Sequence, residues 1–400
     1  MYSGVTRPSP LGKFNNATLK AYGMELTPAM VAKGLESFWK FKAAGELSSS
    51  KMYVPLDRAK LWEDSRYAHL KERFEGIDFE FRYNALEGTV RGITGVKDVY
   101  SNTVNSHLGL PRQVSNTIVR ELVTGNEIGS IESTDHSNAR TWLPLDIMME
   151  KFFPGDRKVI VTLIGSGPVN AWCARMLNYK WAHKVATLSI ISRPRTDGSK
   201  SSSEQLMEFL KGLTGEEQIK FPIFAYTQNT CLQISDLVVL GAGADHALWK
   251  EGELYKGAKV LNLAGRQCPE SHIQQCLTLG RVACDSIPSC EKRGGQSLQR
   301  YLEEREGLTL TQATFKYDIK ELATMLPLPE HDNLPYHVTA VGQASADIML
   351  VAYHLLLLSE ILANTTYRST LRISLGIDPV SVLHTQAPLF STQPSVQPST

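Results

Sequence analysis

From Val159 to Ile164 the chain reads VIVTLI, apolar at nearly every position, with Pro154-Gly155-Asp156 before it and glycines directly after. A run this short and without alternation predicts a strand buried on both faces. A helical stretch to about Lys180 follows, then a second apolar run, Thr187–Ile191, at the distance a crossover connection needs. The alternation continues through helix-like Glu204–Leu213 and strand-like Pro222–Tyr226, Asp236–Leu240, Lys259–Leu263 and Arg281–Cys284. Strands that alternate with helices predict an α/β unit with a doubly wound parallel sheet, placed here at 155–312.

The flanks have a different texture. Short β-like runs such as Phe79–Tyr83 and Asn116–Leu122 lie before this unit, and a long helix pattern, Ala344–Ala363, lies after it. Each flank is too irregular to close a core alone. The expectation is one discontinuous α+β domain, 1–150 plus 315–365, into which the parallel sheet is inserted. The segment Lys60–Phe81 reads as an insertion, and neither it nor the residues before Lys51 carry a functional signal. Residues 366–400, above all Thr385–Thr400, are rich in Ser, Thr, Pro and Gln and read as a flexible tail. The longest apolar run, Ile348–Leu358, is interrupted by His354 and suits a buried helix, so no membrane association is expected.

Composition narrows the function classes. With 400 residues, 42% of them apolar, two cores can be filled. A net charge of +1 leaves no electrostatic footprint for a nucleic acid. Six cysteines without paired C-x-x-C spacing argue against zinc and against a secreted disulfide framework; reduced thiols in a cytoplasmic protein, with no metal site, are the expectation.

After the first strand comes Gly165-Ser166-Gly167-Pro168-Val169-Asn170. In the fingerprint G-x-G-x-x-G/A, the first glycine makes the turn, the second lets backbone approach a pyrophosphate, and the third keeps helix near strand. Gly165 and Gly167 fill the first two roles and Asn170 stands in the third. The loop follows a strand and opens a helix, whose N-terminal N–H groups can face phosphate. Gly241-Ala242-Gly243, after the fourth strand, belongs to the same expected cofactor edge. Where an NAD site carries an acid at the end of the second strand, this chain reads Ser192-Arg193-Pro194-Arg195. Ser192 and Arg193 favour a 2′-phosphate, and hence NADP(H) over NAD(H).

Several further signatures occur in order: Gly95-Val96-Lys97, Thr124-Gly125, Asn138-Ala139-Arg140-Thr141, Ser235–Val239, Lys256–Asn262, and Gly342 to Asp347. With these the chain resembles the ornithine cyclodeaminase and mu-crystallin family over roughly residues 40–365. The resemblance implies a homodimer, with the discontinuous domain binding a small amino or imino acid and forming the dimer. It also implies hydride transfer at the carbon that bears the amine.

By the same resemblance, Lys97 and Arg140 match residues that contact substrate, and Lys51 stands where the family has an arginine. The family's cyclodeaminases carry an aspartate where this chain has Gln267, in Asn262-Leu263-Ala264-Gly265-Arg266-Gln267-Cys268-Pro269. An amide is no general base near neutral pH. Asp245, Glu270 or Asp285 would have to substitute in a cyclodeaminase. His246 and His136 are candidate proton handlers, and Arg266 is a candidate for binding an additional carboxylate. The expected activity is therefore an NAD(P)H-dependent reductase or dehydrogenase acting on an α-imino or α-amino acid. The alternatives are a cyclodeaminase-type lyase that recycles NAD and a noncatalytic NADP-dependent small-ligand binder.

Overall fold

The computed structural model describes residues 9–55, 63–66, 68–74, 81–102, 105, 110–196, 198–244 and 246–377. Two sheets organise them. The first comprises β1 (Lys13–Phe14), β2 (Leu47–Pro55), β3 (Phe81–Val90), β4 (Ile93–Asn102), β5 (Gln113–Glu121) and β6 (Glu127–Glu132). Their order is β1-β6-β5-β4-β3-β2, antiparallel except for the short β1. Burial alternates along β4, with Ile93, Gly95, Lys97 and Val99 inward, as one covered face requires.

Directly opposed residues share a face, and one rung of this sheet runs Lys51, Leu86, Lys97, Thr117. Lys51 and Lys97 thus project to the same side, two strands or about 10 Å apart. That side is covered by the helix Ala344–Ile361. Close approach needs a missing side chain: a Cβ on Gly88 would lie 2.7 Å from the backbone nitrogen of Ser345. The hydroxyl of Ser49 bonds that of Ser345 at 3.0 Å and pins the same junction.

The second sheet is parallel throughout. It contains β7 (Val159–Ile164), β8 (Val185–Ile191), β9 (Ile223–Tyr226), β10 (Leu237–Leu240), β11 (Lys259–Asn262), β12 (Val282–Cys284), β13 (Ile319–Glu321) and β14 (Tyr336–Thr339). The order is β13-β12-β14-β11-β10-β7-β8-β9. Direction reverses at β7, from which β8 and β9 run one way and β10 and β11 the other. Ligands bind parallel sheets in the crevice that opens at the carboxyl ends beside such a switch point.

The chain leaves the first sheet through the helices Thr134–Arg140 and Leu143–Lys151 and builds the parallel sheet. It then returns as Ala344–Ile361 across β2 to β6. Two expected boundaries move. The parallel sheet does not end at 312 but extends to Thr339, with β14 seated between β11 and β12. Its four residues, Tyr-His-Val-Thr, alternate polar with apolar and hide a fully buried strand from a hydrophobicity reading. Residues 366–377 are not tail: the helix Arg368–Leu375 packs on the returning helix through Leu371 and Leu375, four residues apart on one stripe. The remainder of the expected tail lies outside the described residues, as does nearly half of the insertion-like segment. By length and hydropathy alone the helix Ala344–Ile361 could cross a membrane, but 78% of it is buried within the protein.

Gly88→Ala should force the returning helix away from β3 and cost about 1–3 kcal/mol, the usual range for overpacking a tight contact. Urea or thermal unfolding of the purified variant measures this, and an unchanged midpoint would contradict the packing described.

Candidate functional site

The phosphate loop follows β7 directly. Gly165 has φ +103°, and a Cβ there would lie 2.9 Å from the backbone of Ala242, so this turn and the loop after β10 abut. The helix Pro168–Trp181 begins at Gly167 in extended conformation, with no side chain capping its first turn. No side chain competes there for an incoming phosphate, and a Cβ on Gly167 would meet nothing within 4 Å. The loop's geometry thus fits a dinucleotide pyrophosphate.

Asn170 explains the imperfect fingerprint. It is fully buried, and its Nδ2 donates to the carbonyls of Ile164 at 3.1 Å and Gly165 at 2.9 Å. The amide braces strand, turn and helix from behind, where a glycine would permit closeness instead. Ser192, at the end of β8, accepts from the Ser203 N–H at 2.9 Å and ties the strand to the helix Ser202–Lys211. Arg193 extends from the same end to His246, Nη2 to Nε2 at 3.2 Å.

A second cluster lies where the two sheets meet. Lys97 of β4 is buried; its Nζ donates to Asp347 Oδ1 at 2.8 Å and to Ser137 Oγ at 2.5 Å. Arg140 donates through Nε to the same Asp347 oxygen at 3.0 Å. One carboxylate on the returning helix thus serves two cations, and its Oδ2 is buried without a partner among the described residues. Burial, opposed by Asp347 and reinforced by Arg140, pulls the Lys97 ammonium down to about 8. Gly342, at φ +74°, lies so close under the Arg140 guanidinium that a Cβ would fall 1.7 Å from Nη1. Asp285 at the end of β12 holds this turn by accepting the Val341 and Gly342 N–H groups at 3.2 and 2.8 Å. A small pocket opens beside Arg140, walled by Phe38, Trp39, Leu143 and Leu263.

The candidates from the sequence therefore separate into groups. Lys97 and Arg140 come together, and Lys51 stands on the sheet rung of Lys97. Gly165–Asn170 and Gly241–Gly243 adjoin at the switch point, with Ser192 and Arg193 at its edge. His246 does not join the Lys97 cluster; it is exposed and bonded to Arg193. Arg266 is bound to Glu304 at 3.0 Å on the surface, since both sit at solvent-facing positions.

Gln267 is fully buried, and its Nε2 donates to the carbonyls of Ala242 and, at 3.0 Å, Ala244. It holds the loop after β10 in place. Glu270 pairs with Arg305 and Asp285 is occupied by the Gly342 turn, so neither stands free as a base; Asp245 lies outside the described residues. His136 is buried against His354, Nε2 to Nδ1 at 2.8 Å. All six cysteines are unpaired and buried.

Sequence reasoning missed the shared role of Asp347, the Ser137 hydroxyl, the Asp285 brace and the Phe38–Trp39 wall. It also missed Arg112, whose guanidinium approaches Gly243. The ordered Gly342 to Asp347 signature marked the aspartate's position but not its two partners, which lie 250 and 207 residues away.

Burial depresses both imidazoles of the His136–His354 pair, His354 to about 4 and His136 well below its ordinary value. Between those values and 6.5 the unfolded chain binds protons that the native state refuses, so stability falls as pH drops through that window. For His354 alone the loss is on the order of 3 kcal/mol by pH 4. Thermal midpoints between pH 7 and 4 should show the slope, and His354→Leu should flatten it; an unaltered slope in the variant would refute the assignment.

No family model and no curated protein matches the sequence. Solved structures do. The Thermococcus litoralis Δ1-pyrroline-2-carboxylate reductase, in complex with NADH and L-proline, superposes with a TM-score of 0.66 at 12% identity, covering 88% of this chain and 98% of its own. An archaeal alanine dehydrogenase dimer with bound NAD gives 0.66 at 12%, covering 88% and 96%. A probable ornithine cyclodeaminase from Bordetella pertussis Tohama I gives 0.63 at 13%, covering 88% and 98%. The chain has the fold of these ornithine cyclodeaminase-type proteins along nearly their whole length.

Proposed function

We propose that the protein is a nicotinamide-dependent reductase or dehydrogenase acting at the C=N or C–N carbon of an α-imino or α-amino acid. The observation that carries this reading is the buried Lys97–Asp347–Arg140 cluster beside the Gly342 turn, whose pocket is also lined by Leu263 at the carboxyl end of β11. Such a substrate needs its carboxylate held and its C=N nitrogen protonated. Arg140 is tethered through Nε alone, and its Nη groups make no hydrogen bond among the described residues. They form a fork suited to a carboxylate. Lys97, protonated at neutral pH yet drawn down to about 8, holds a proton that it can yield to a substrate nitrogen. Asp347 keeps both cations in position. Lys51 adds positive charge from the same sheet face. When bound, the dinucleotide supplies the hydride.

NADP(H) is the cofactor this reading favours, because Arg193 stands at the end of β8 where an NAD site carries an acid. The nucleotides named with the similar reductase and dehydrogenase support a nicotinamide cofactor in general. A cyclodeaminase reading is disfavoured by Gln267, whose amide is consumed in holding the loop after β10. Buried, unpaired cysteines accord with a reducing, cytoplasmic setting. The partner is a second copy of this chain. The outer face of the first sheet exposes Met52, Tyr83 and Val96, at 61%, 39% and 43%, and the alanine dehydrogenase of the same fold is a dimer.

Purified protein should oxidise NADPH with cyclic or linear α-imino acids, and the rate should decline as pH rises through about 8 while Lys97 loses its proton. Lys97→Met should lower kcat/KM at least about 100-fold, within the range for a lost proton donor, and still fold because Arg140 keeps Asp347 paired. Silence across a broad imine panel with either reduced cofactor, together with ammonia release from a diamino acid, would overturn the proposal.

Light scattering should report a dimer that the double variant Met52→Glu, Val96→Glu converts to monomer. A monomeric wild type would reject the assignment of that face.

A further inference from the structure

The residue least used by the chemistry above is His246, which has the sequence context of a proton handler but sits away from Lys97. It lies in the loop after β10, and Arg193 in the loop after β8. These loops rise from strands on either side of β7, the point at which strand order reverses. The two side chains therefore meet across the mouth of the nucleotide crevice, Arg193 Nη2 to His246 Nε2 at 3.2 Å.

The pairing is unusual in its charge. An arginine has five donors and no acceptor, and surface arginines commonly find a carboxylate. Here, among the described residues, Arg193 has no carboxylate partner, and the only hydrogen bond of its guanidinium goes to an imidazole nitrogen. A second cation, Arg112, approaches Gly243 three residues before His246. Both Arg193 and His246 are exposed, so neither burial nor packing accounts for their proximity. Behind them the scaffold is firm. Ser192 is tied to the Ser203 N–H, and Gln267 holds the carbonyls of Ala242 and Ala244.

We propose that Arg193 and His246 together form a binding site for a phosphomonoester on the ribose of the dinucleotide, one side chain from each side of the crevice. His246 is then a cofactor-discriminating residue. The inference rests on the reading that a nicotinamide dinucleotide binds at Gly165–Asn170. The physical reason is that a phosphomonoester carries between one and two negative charges near neutral pH and three acceptor oxygens. The guanidinium supplies a planar fork and the imidazole an N–H donor. Without a ligand the two groups satisfy each other; with one, both donors turn to its oxygens.

The test is equilibrium binding of NADPH and NADH to the full-length protein, wild type and the variants His246→Ala and Arg193→Ala, by quenching of intrinsic fluorescence. Competition by 2′,5′-ADP against 5′-AMP isolates the phosphate. Wild type should prefer NADPH at least tenfold. Each variant should weaken NADPH about tenfold, and 2′,5′-ADP likewise, while NADH shifts less than twofold. Circular dichroism verifies that these surface variants remain folded.

If His246→Ala alters NADPH and NADH equally, or neither, the proposal fails. If wild type prefers NADH, the proposal fails while the reductase reading stands. If wild type binds neither nucleotide, both fall.

Discussion

One buried carboxylate governs the arrangement of this protein. Asp347 accepts from Lys97 and Arg140 through a single oxygen, and both cations lie nine-tenths or more out of water. Burying charge costs several kcal/mol per ion unless it is paired. Two cations and one anion leave a net positive charge that the fold pays to keep. That surplus is what an anionic substrate group can relieve. Lys97 holds its proton less tightly than a free lysine, since burial, together with Arg140, outweighs the attraction of Asp347.

Asp347 itself sits on the returning helix Ala344–Ile361. Its first turn is fitted against Gly88 and Ser49 of the first sheet, and its middle carries His354 against His136. It follows β14 by only a few residues, so an interior strand of the parallel sheet and the helix across the other sheet form one continuous strut. Arg140 closes the other connection, at the end of the helix by which the chain leaves the first sheet. The ion cluster therefore joins the two chain crossings.

Two amides mark how this chain departs from the sequence patterns it resembles. Asn170 replaces a close-packing glycine with hydrogen bonds to the turn it supports. Gln267 replaces an aspartate and donates to two carbonyls of the neighbouring loop. A carboxylate there would be an acceptor facing acceptors. The same substitution that removes a base thus stiffens the loop that carries His246.

Much of this was legible in the sequence. The apolar runs at β7, β8, β10 and β11 determine a parallel sheet, because a strand buried on both faces must be apolar throughout. Lys97 and Arg140 were identifiable by spacing and resemblance. What only the tertiary structure decided is which polar groups meet. The four-residue β14, with His337 and Thr339 in its buried register, carries no hydrophobic signature, so the extent of the sheet was invisible. Arg266 and Arg193 are both arginines after parallel strands, yet one is neutralised by Glu304 and the other faces His246. Periodicity determines which face a side chain occupies; the partner it finds depends on loop paths and on residues hundreds of positions away, which no local pattern encodes.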